Sequence, residues 1–453
     1  MSVATAIPQG GGRTEVRAPA EKIAFGLAVF IVLTFSQSWM TALGSDGKSE
    51  PGFIRVLYFP AYLCALALVA MRPERVLSAM VRTPLLWVLM GVVVASVSWS
   101  IDPGMTSRRA VAVIFTTLGG VVIASRYDWP ELMEVMATAF GVLAVGSLFV
   151  AVAVPGFGVM HEIFPGAWRG LWADKNALGG YMAQGFAIFV SAAVLNPRHR
   201  LRWAGFACLA FLLVLASTSK TSLVALILGL GAITFVALVK RGPAMAVAAT
   251  FLAMVGALAL ACFIVFASDV FFALLGKDAT LTGRTAIWAG IIRQVETRPW
   301  TGFGYGVVWS DRSGWGPYAW ISHDAKFTAQ HAHNSWLETW LGVGYIGLAV
   351  WVLLFVETWV KALWAAYTNP GGWFAAPFLV IYTISTMTES VAFIYHDFIW
   401  VMFAIIASRL AMPGSVAVDA TPKVEQDMGG GLLFPNRDLS RWAPEPPPHP
   451  RWR

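Results

Sequence analysis

The sequence predicts an all-α, polytopic integral membrane protein, and three observations carry that prediction. Of 453 residues, 57% are hydrophobic and 13% charged, whereas a soluble domain carries roughly 25% charged residues. The apolar residues gather into runs close to the ~20 residues a helix needs to cross a bilayer. Basic residues produce a net charge of +7, but they recur between the runs instead of forming one patch. Membrane topology produces that distribution, so no nucleic acid is expected as a partner.

Taken in order, residues 1–21 are polar, contain Gly10-Gly11-Gly12 and read as a disordered cytoplasmic tail. Ile23–Leu43 is the first apolar run; it has no small-residue cleavage site and reads as a retained helix. Further runs cover about 54–71, 84–99, 110–125, 132–154, 177–195, 201–217, 221–239, 243–267, 334–360, 373–391 and 394–411, which gives about twelve spans. Lys and Arg crowd alternate connections: Arg13/Arg17/Lys22, Arg72/Arg75/Arg82, Arg126, Arg198/Arg200/Arg202, Lys240/Arg241, Lys361 and the segment from Arg409. By the positive-inside rule those connections and both termini are cytoplasmic. Residues 268–333 then form one large periplasmic loop inside a membrane domain of 22–412. The tail 413–453, with Gly429-Gly430-Gly431 and Pro446-Pro447-Pro448, is too rich in Gly and Pro to pack and reads as disordered and cytoplasmic. Cys64, Cys208 and Cys262 all lie inside apolar runs, with neither a disulfide framework nor metal spacing.

Polar residues that composition does not demand sit in three outer connections. In 164–180, Arg169, Lys175 and Asn176 precede a span, where they could meet a phosphate or simply snorkel beside interfacial tryptophans. Ser217-Thr218-Ser219-Lys220-Thr221-Ser222 is either an ordinary turn or part of an anion site. Within the large loop, Ile287/Trp288, Ile291/Ile292 and Val295 recur at helical spacing, predicting an amphipathic helix on the membrane or on the bundle. Gly283-Arg284 falls at its first turn, where the helix dipole adds to the attraction of a guanidinium for an anion. Pro299 stops the helix, and Gly302-Phe303-Gly304-Tyr305-Gly306 reads as a flexible turn.

The loop ends in His331-Ala332-His333-Asn334-Ser335-Trp336-Leu337-Glu338, where a long apolar helix begins. A lone interfacial histidine has no necessary function. Here, however, Asn334 and Glu338 place polar groups on the adjoining turn, and an imidazole pKa near ~6.5 suits a general base. No set has structural-zinc spacing, and His331 with His333 could bind a metal only as an extended i, i+2 pair. Neither a metal nor a cofactor is expected. Trp309, Trp315, Tyr318 and Trp320 could stack on the rings of a ligand or form an interfacial belt.

These motifs together resemble the O-antigen ligase and polymerase family, multi-span transferases with GT-C-like helical bundles. His333-Asn334, nine residues and Gly344-Tyr345-Ile346-Gly347 match one family pattern without gaps. Arg169-Gly170…Lys175-Asn176-Ala177-Leu178-Gly179 matches a second, and Gly283-Arg284…Trp288…Pro299-Trp300-Thr301-Gly302-Phe303-Gly304 a third. Ser217–Thr221 is similar to a fourth. The match spans roughly 160–350, and its 168–180 portion is most similar to ExoQ-like exopolysaccharide polymerases. The Arg-x-x-x-Leu spacing of ligases is absent at Arg169 and Arg284, which points away from a ligase.

The resemblance implies a bacterial inner-membrane enzyme that needs no metal and inverts the anomeric centre, with its active site on the periplasmic face. An undecaprenyl-pyrophosphate-linked glycan would be the donor, and a glycan or lipid-linked sugar the acceptor. Membrane lipids, a chain-length regulator and export machinery are the further partners it suggests. Arg169 and Arg284 would hold the pyrophosphate, with Lys175 or Lys220 assisting, and His333 would act as the base; Asn176, His331, Asn334 and Glu338 complete the expected substrate site. Two other readings remain open. One is a ligase moving finished glycan to lipid A core or another acceptor. The other is a twelve-helix transporter, which predicts half-to-half symmetry and midplane ionisable residues not evident in the sequence.

Overall fold

All twelve apolar runs are helical in the computed structural model, which describes residues 19–44, 52–162, 164–266 and 284–413. The helices are α1 (Pro19–Phe35), α2 (Gly52–Val56), α3 (Phe59–Met71), α4 (Pro73–Arg82), α5 (Pro84–Ala95), α6 (Pro103–Arg126), α7 (Trp129–Ala153), α8 (Pro155–Gly158) and α9 (Lys175–Leu195). They continue with α10 (Arg200–Ala216), α11 (Lys220–Val239), α12 (Pro243–Phe266), α13 (Arg284–Val295), α14 (Pro317–Ala325), α15 (Ser335–Thr368), α16 (Gly372–Thr388) and α17 (Phe398–Ala411). Eight segments are long and apolar enough to cross a membrane, or nine if α4 and α5, bent by 86° at Thr83, form one span. α1, with 17 residues, and the apolar α16 and α17 are shorter, so twelve counts the helical runs while eight or nine counts the full-length spans. The chain is a multi-pass membrane protein. Helices suit that solvent because they satisfy every internal backbone N–H and C=O without water.

Basic residues mark one end of the bundle. Glu21, in the first turn of α1, pairs with Arg72 at 2.7 Å and Arg126 at 3.0 Å. This pairing draws α1 back to Pro19, slightly ahead of the first apolar residues. Asp128 holds Arg409 at 2.8 Å, and Lys240 donates to the Asn369 carbonyl at 3.0 Å at the same end. The expected disordered tails and residues 268–283 of the expected large loop lie outside the described residues, except for 19–21, which open α1, and Pro413 just after α17.

Polar connections meet at the opposite end. Trp172 Nε1 donates to Ser36 O at 2.9 Å, Trp99 Nε1 to Thr301 O at 2.8 Å, and the Ile101 N–H to Phe303 O at 3.0 Å. The described part of the large loop carries its own small core, in which Ile287, Ile291 and Val295 of α13 meet Phe303, Ile321 and Leu341. The amphipathic helix predicted there therefore buries its apolar stripe against this loop core and the start of α15.

Gly302–Gly306 is packed, not flexible. Phe303 and Gly304 N–H groups donate to Leu341 and Gly342 carbonyls at 3.0 and 2.9 Å, and Tyr345 N–H donates to Pro299 O at 2.8 Å. This backbone zipper needs a break in α15, and Gly344 supplies it with φ 66° and ψ −168°. Gly302, at φ +65°, has the Leu341 carbonyl where a Cβ would sit, 2.7 Å away. The glycines permit close backbone approach, and that approach removes their freedom.

Candidate active site

Asn334 begins the site by starting α15. Its Oδ1 accepts from the Trp336 and Leu337 N–H groups at 2.9 and 3.1 Å, satisfying donors that a helix start leaves orphaned. Upstream, Ala332 is clamped at both backbone groups. Trp288 Nε1 of α13 donates to its carbonyl at 2.9 Å, and its N–H donates to Glu338 Oε2 at 2.9 Å. His333, caught between clamp and cap, adopts φ +49°, a left-handed conformation that non-glycine residues seldom take and that a surrounding structure must enforce.

Glu338 is better placed as a clamp than as a substrate ligand. Its two oxygens accept from Trp309 Nε1 at 2.5 Å, the Ala332 N–H at 2.9 Å and Ser390 Oγ at 3.1 Å. Glu338→Ala should strand three donors at about 1 kcal/mol or more each. We expect a lower midpoint for thermal unfolding in detergent, partly restored by Glu338→Gln.

Glu389 completes the constellation, and sequence reading passed over it. The residue follows α16, where residues 373–391 read as one apolar run. The available signal was a carboxylate ending a membrane helix, a placement that itself suggests function. Its Oε2 lies 2.9 Å from His333 Nδ1, and its Oε1 lies 3.3 Å from Arg284 Nη2. Arg284, at the first position of α13, also donates Nη1–H to Thr388 O at 2.8 Å. Its Nη2 is 3.2 Å from His333 Nδ1. Between the two neighbours of Nδ1, the Glu389 carboxylate is an acceptor and the Arg284 guanidinium only a donor, so the carboxylate is the partner for Nδ1–H. His333 then carries its lone pair on Nε2, as a general base requires.

The His331 ring sits 3.8 Å from that of His333, and its Nδ1 is buried without a hydrogen-bond partner. Burial first, then the neighbouring His333, pushes its pKa from 6.5 down to about 4. A depressed histidine pKa stabilises the fold above the unfolded value, and that contribution is lost as pH falls toward the folded value. Stability should therefore decline between pH 6.5 and about 4, and His331→Asn should flatten this window in detergent melts.

His331, His333 and Glu389 each offer one ligand atom within 4.8 Å of the others, a set able to hold a metal ion. The Arg284 guanidinium lies 3.2 Å from His333 Nδ1 and 3.3 Å from Glu389 Oε1. A divalent ion there would face a fixed positive charge, so the arrangement suits an ion pair better.

The other expected residues form a second cluster. Arg169 Nε donates to Phe157 O at 2.7 Å, fixing the guanidinium against α8. Lys175 Nζ lies 3.5 Å from Thr218 Oγ1 and 3.7 Å from the Phe164 ring centroid. Asn176 Oδ1 accepts from Ser219 Oγ at 2.9 Å, and Lys220 opens α11 directly after Ser219. The Ser217–Ser222 turn is thus bound to the 164–176 connection.

Helix pairing sets the two clusters at one level. α11 and α16 run antiparallel, with Lys240 bonded to Asn369 O and Gly229 against Ile381. From that crossing, Lys220 and Glu389 lie nine and eight residues along in the same direction, a climb of about 12–14 Å at ~1.5 Å per residue. Arg169, Lys175, Lys220, Arg284 and His333 therefore share one end of the bundle, opposite the Glu21–Arg126 ion pairs.

Residues 204–352 match the O-Antigen ligase family, a stretch that holds Lys220, Arg284, His331, His333, Asn334 and Glu338 and stops short of Glu389. Arg169, Lys175 and Asn176 lie upstream of it. The chain is also 28% identical over 297 residues to the "Exopolysaccharide production protein ExoQ" of Rhizobium meliloti (strain 1021). That match covers 61% of this chain and 65% of the relative's length. The motifs, the helical architecture and these likenesses agree: through residues 204–352, this chain is similar to the O-Antigen ligase family.

Proposed function

We propose that this protein polymerises polysaccharide repeat units at a membrane surface, transferring a glycan from undecaprenyl pyrophosphate to an acceptor sugar hydroxyl. The His333–Glu389–Arg284 constellation carries the reading, because it joins an oriented base to a cation suited to a phosphate. His333 Nε2 takes the acceptor hydroxyl proton, and the oxygen attacks the anomeric carbon from the face opposite the leaving group. The bond from that carbon to the pyrophosphate oxygen breaks, and the electron pair leaves with the lipid pyrophosphate. Arg284 stabilises the developing charge, with Arg169 and Lys220 at the same level of the bundle. The reaction inverts the sugar and draws on no metal, since Arg284 occupies the electrostatic place of one. The site faces the periplasm from the bacterial inner membrane, with both termini in the cytoplasm, because the short connections rich in Arg and Lys, such as Arg198/Arg200/Arg202 and Lys240/Arg241, lie at the far end.

Similarity to an exopolysaccharide production protein supports polymerisation, and the matched family's ligase description supports the rival. Purified protein given only an undecaprenyl-pyrophosphate repeat unit should yield a ladder at multiples of one repeat, with or without a chelator. Product formed only after adding lipid A core would establish a ligase instead. A chelator that stops the ladder would return the His331–His333–Glu389 set to metal binding, and inertness under every condition would sink the transferase.

A further inference from the structure

A second site lies beside α6, apart from His331 and His333. A cavity of about 550 Å³ opens between α3 and α6, with an apolar floor that includes Phe59, Leu63, Leu66, Val111 and Phe115. Leu63 is 65% and Val111 53% exposed, so the slot opens sideways, where a membrane protein meets lipid. Arg55, Arg108 and Arg109 line the same cavity. The wall behind them is fixed: the Tyr58 ring stacks on His396 at 3.6 Å between centroids, and Tyr62 Oη hydrogen-bonds His396 Nε2.

These arginines lie at the site's end of the bundle. Arg109 hydrogen-bonds Gly306 O and donates to Ser310 Oγ at 2.8 Å, while its guanidinium lies 5.3 Å from the Tyr395 ring centroid. Neighbouring Trp309 is bonded to Glu338, and residues 389–396 run from Glu389 to the His396 wall. A molecule seated in the slot would therefore place its head group beside the loop that holds His333.

We infer that this groove seats a second polyprenyl-pyrophosphate lipid, distinct from the donor, with its chain on the α3–α6 floor and its pyrophosphate at Arg55, Arg108 and Arg109. Three guanidiniums suit a head group with two adjacent phosphates, and one narrow apolar slot suits one long chain. Its role as the acceptor rests on the transferase reading above; the lipid site itself does not. A lipid-bound acceptor would present its sugar hydroxyl at a fixed height above the membrane, replacing a three-dimensional search with a positioned encounter.

Native mass spectrometry of the full chain, titrated with sugar-free undecaprenyl pyrophosphate, tests the site without requiring transfer. Wild type should retain two lipids. Filling the groove with Leu63→Trp and Val111→Trp together, or reversing its charge with the exposed Arg108→Glu, should weaken one of them at least tenfold. Arg284→Ala should weaken the other. Two lipids retained by both groove variants, or only one retained by wild type, would overturn the inference. Displacement of the groove lipid by an equal concentration of phosphatidylglycerol would overturn it too, marking the slot as an ordinary bilayer-lipid contact. A protein that binds two lipids yet forms no product in the ladder assay would instead refute the proposed function and leave the site standing.

Discussion

His333→Ala should reduce the polymer ladder by about 10²–10⁴-fold, the usual contribution of a positioned general base, while abundance and membrane insertion stay normal. Insertion should persist because the local fold does not depend on the imidazole. Asn334 caps α15 through its own side chain, and Ala332 is held by Trp288 and Glu338. A ladder of wild-type intensity from His333→Ala would end the base assignment. In the proposed mechanism Glu389 acts through His333, as a positioning residue. Glu389→Gln would leave Nδ1 facing a neutral amide that can donate to it as well as accept, so the tautomer with a free Nε2 loses its preference. The expected result is a loss of at least tenfold with a displaced acidic limb in the pH–rate profile, and partial rescue by Glu389→Asp. A merely structural Glu389 would lower the yield of folded protein and leave the pH profile of the remainder unchanged.

Much of this site could be read in the sequence because its parts are close in the chain. His331, His333, Asn334 and Glu338 span eight residues at a loop-to-helix junction, and Arg284 starts a helix whose apolar period is plain. Glu389 escaped because its place beside His333 depends on an approach between residues 333 and 389, and the helix that precedes it is apolar. Glu338 illustrates the converse: its type and spacing suggested substrate contact, while its three hydrogen bonds assign its oxygens to loop structure. Helix positions followed hydropathy closely, since apolar length is what the bilayer selects. The 86° bend between α4 and α5 did not, because Pro73 and Pro84 each read equally well as ordinary helix starts. The groove between α3 and α6 was illegible for another reason. Its arginines are Arg55 of α2 and the Arg108-Arg109 pair near the start of α6, two helices whose proximity is purely a matter of packing.

Gly344→Ala should be a severely damaging small substitution. At φ 66° and ψ −168°, the backbone occupies a region open essentially to glycine alone, and a side chain there costs about 1–3 kcal/mol in strain. The added Cβ would also enter the Trp300 carbonyl and the Thr301 nitrogen, backbone atoms that cannot rotate aside. Relief by straightening α15 would break the bonds from Tyr345 and Ile346 to Pro299 and Trp300, at 2.8 and 3.3 Å. Those bonds anchor the segment that carries Gly306 and Trp309, and through Glu338 they support the turn holding His333. We expect limited proteolysis to cut within 299–316 in the variant and not in wild type, together with loss of the ladder. Gly342→Ala is the control two residues away. It sits in regular helix, and its new Cβ would come no nearer than 3.7 Å to the Gly304 carbonyl, an ordinary contact. If Gly344→Ala and Gly342→Ala protect the loop equally, the break in α15 is not what holds the site together.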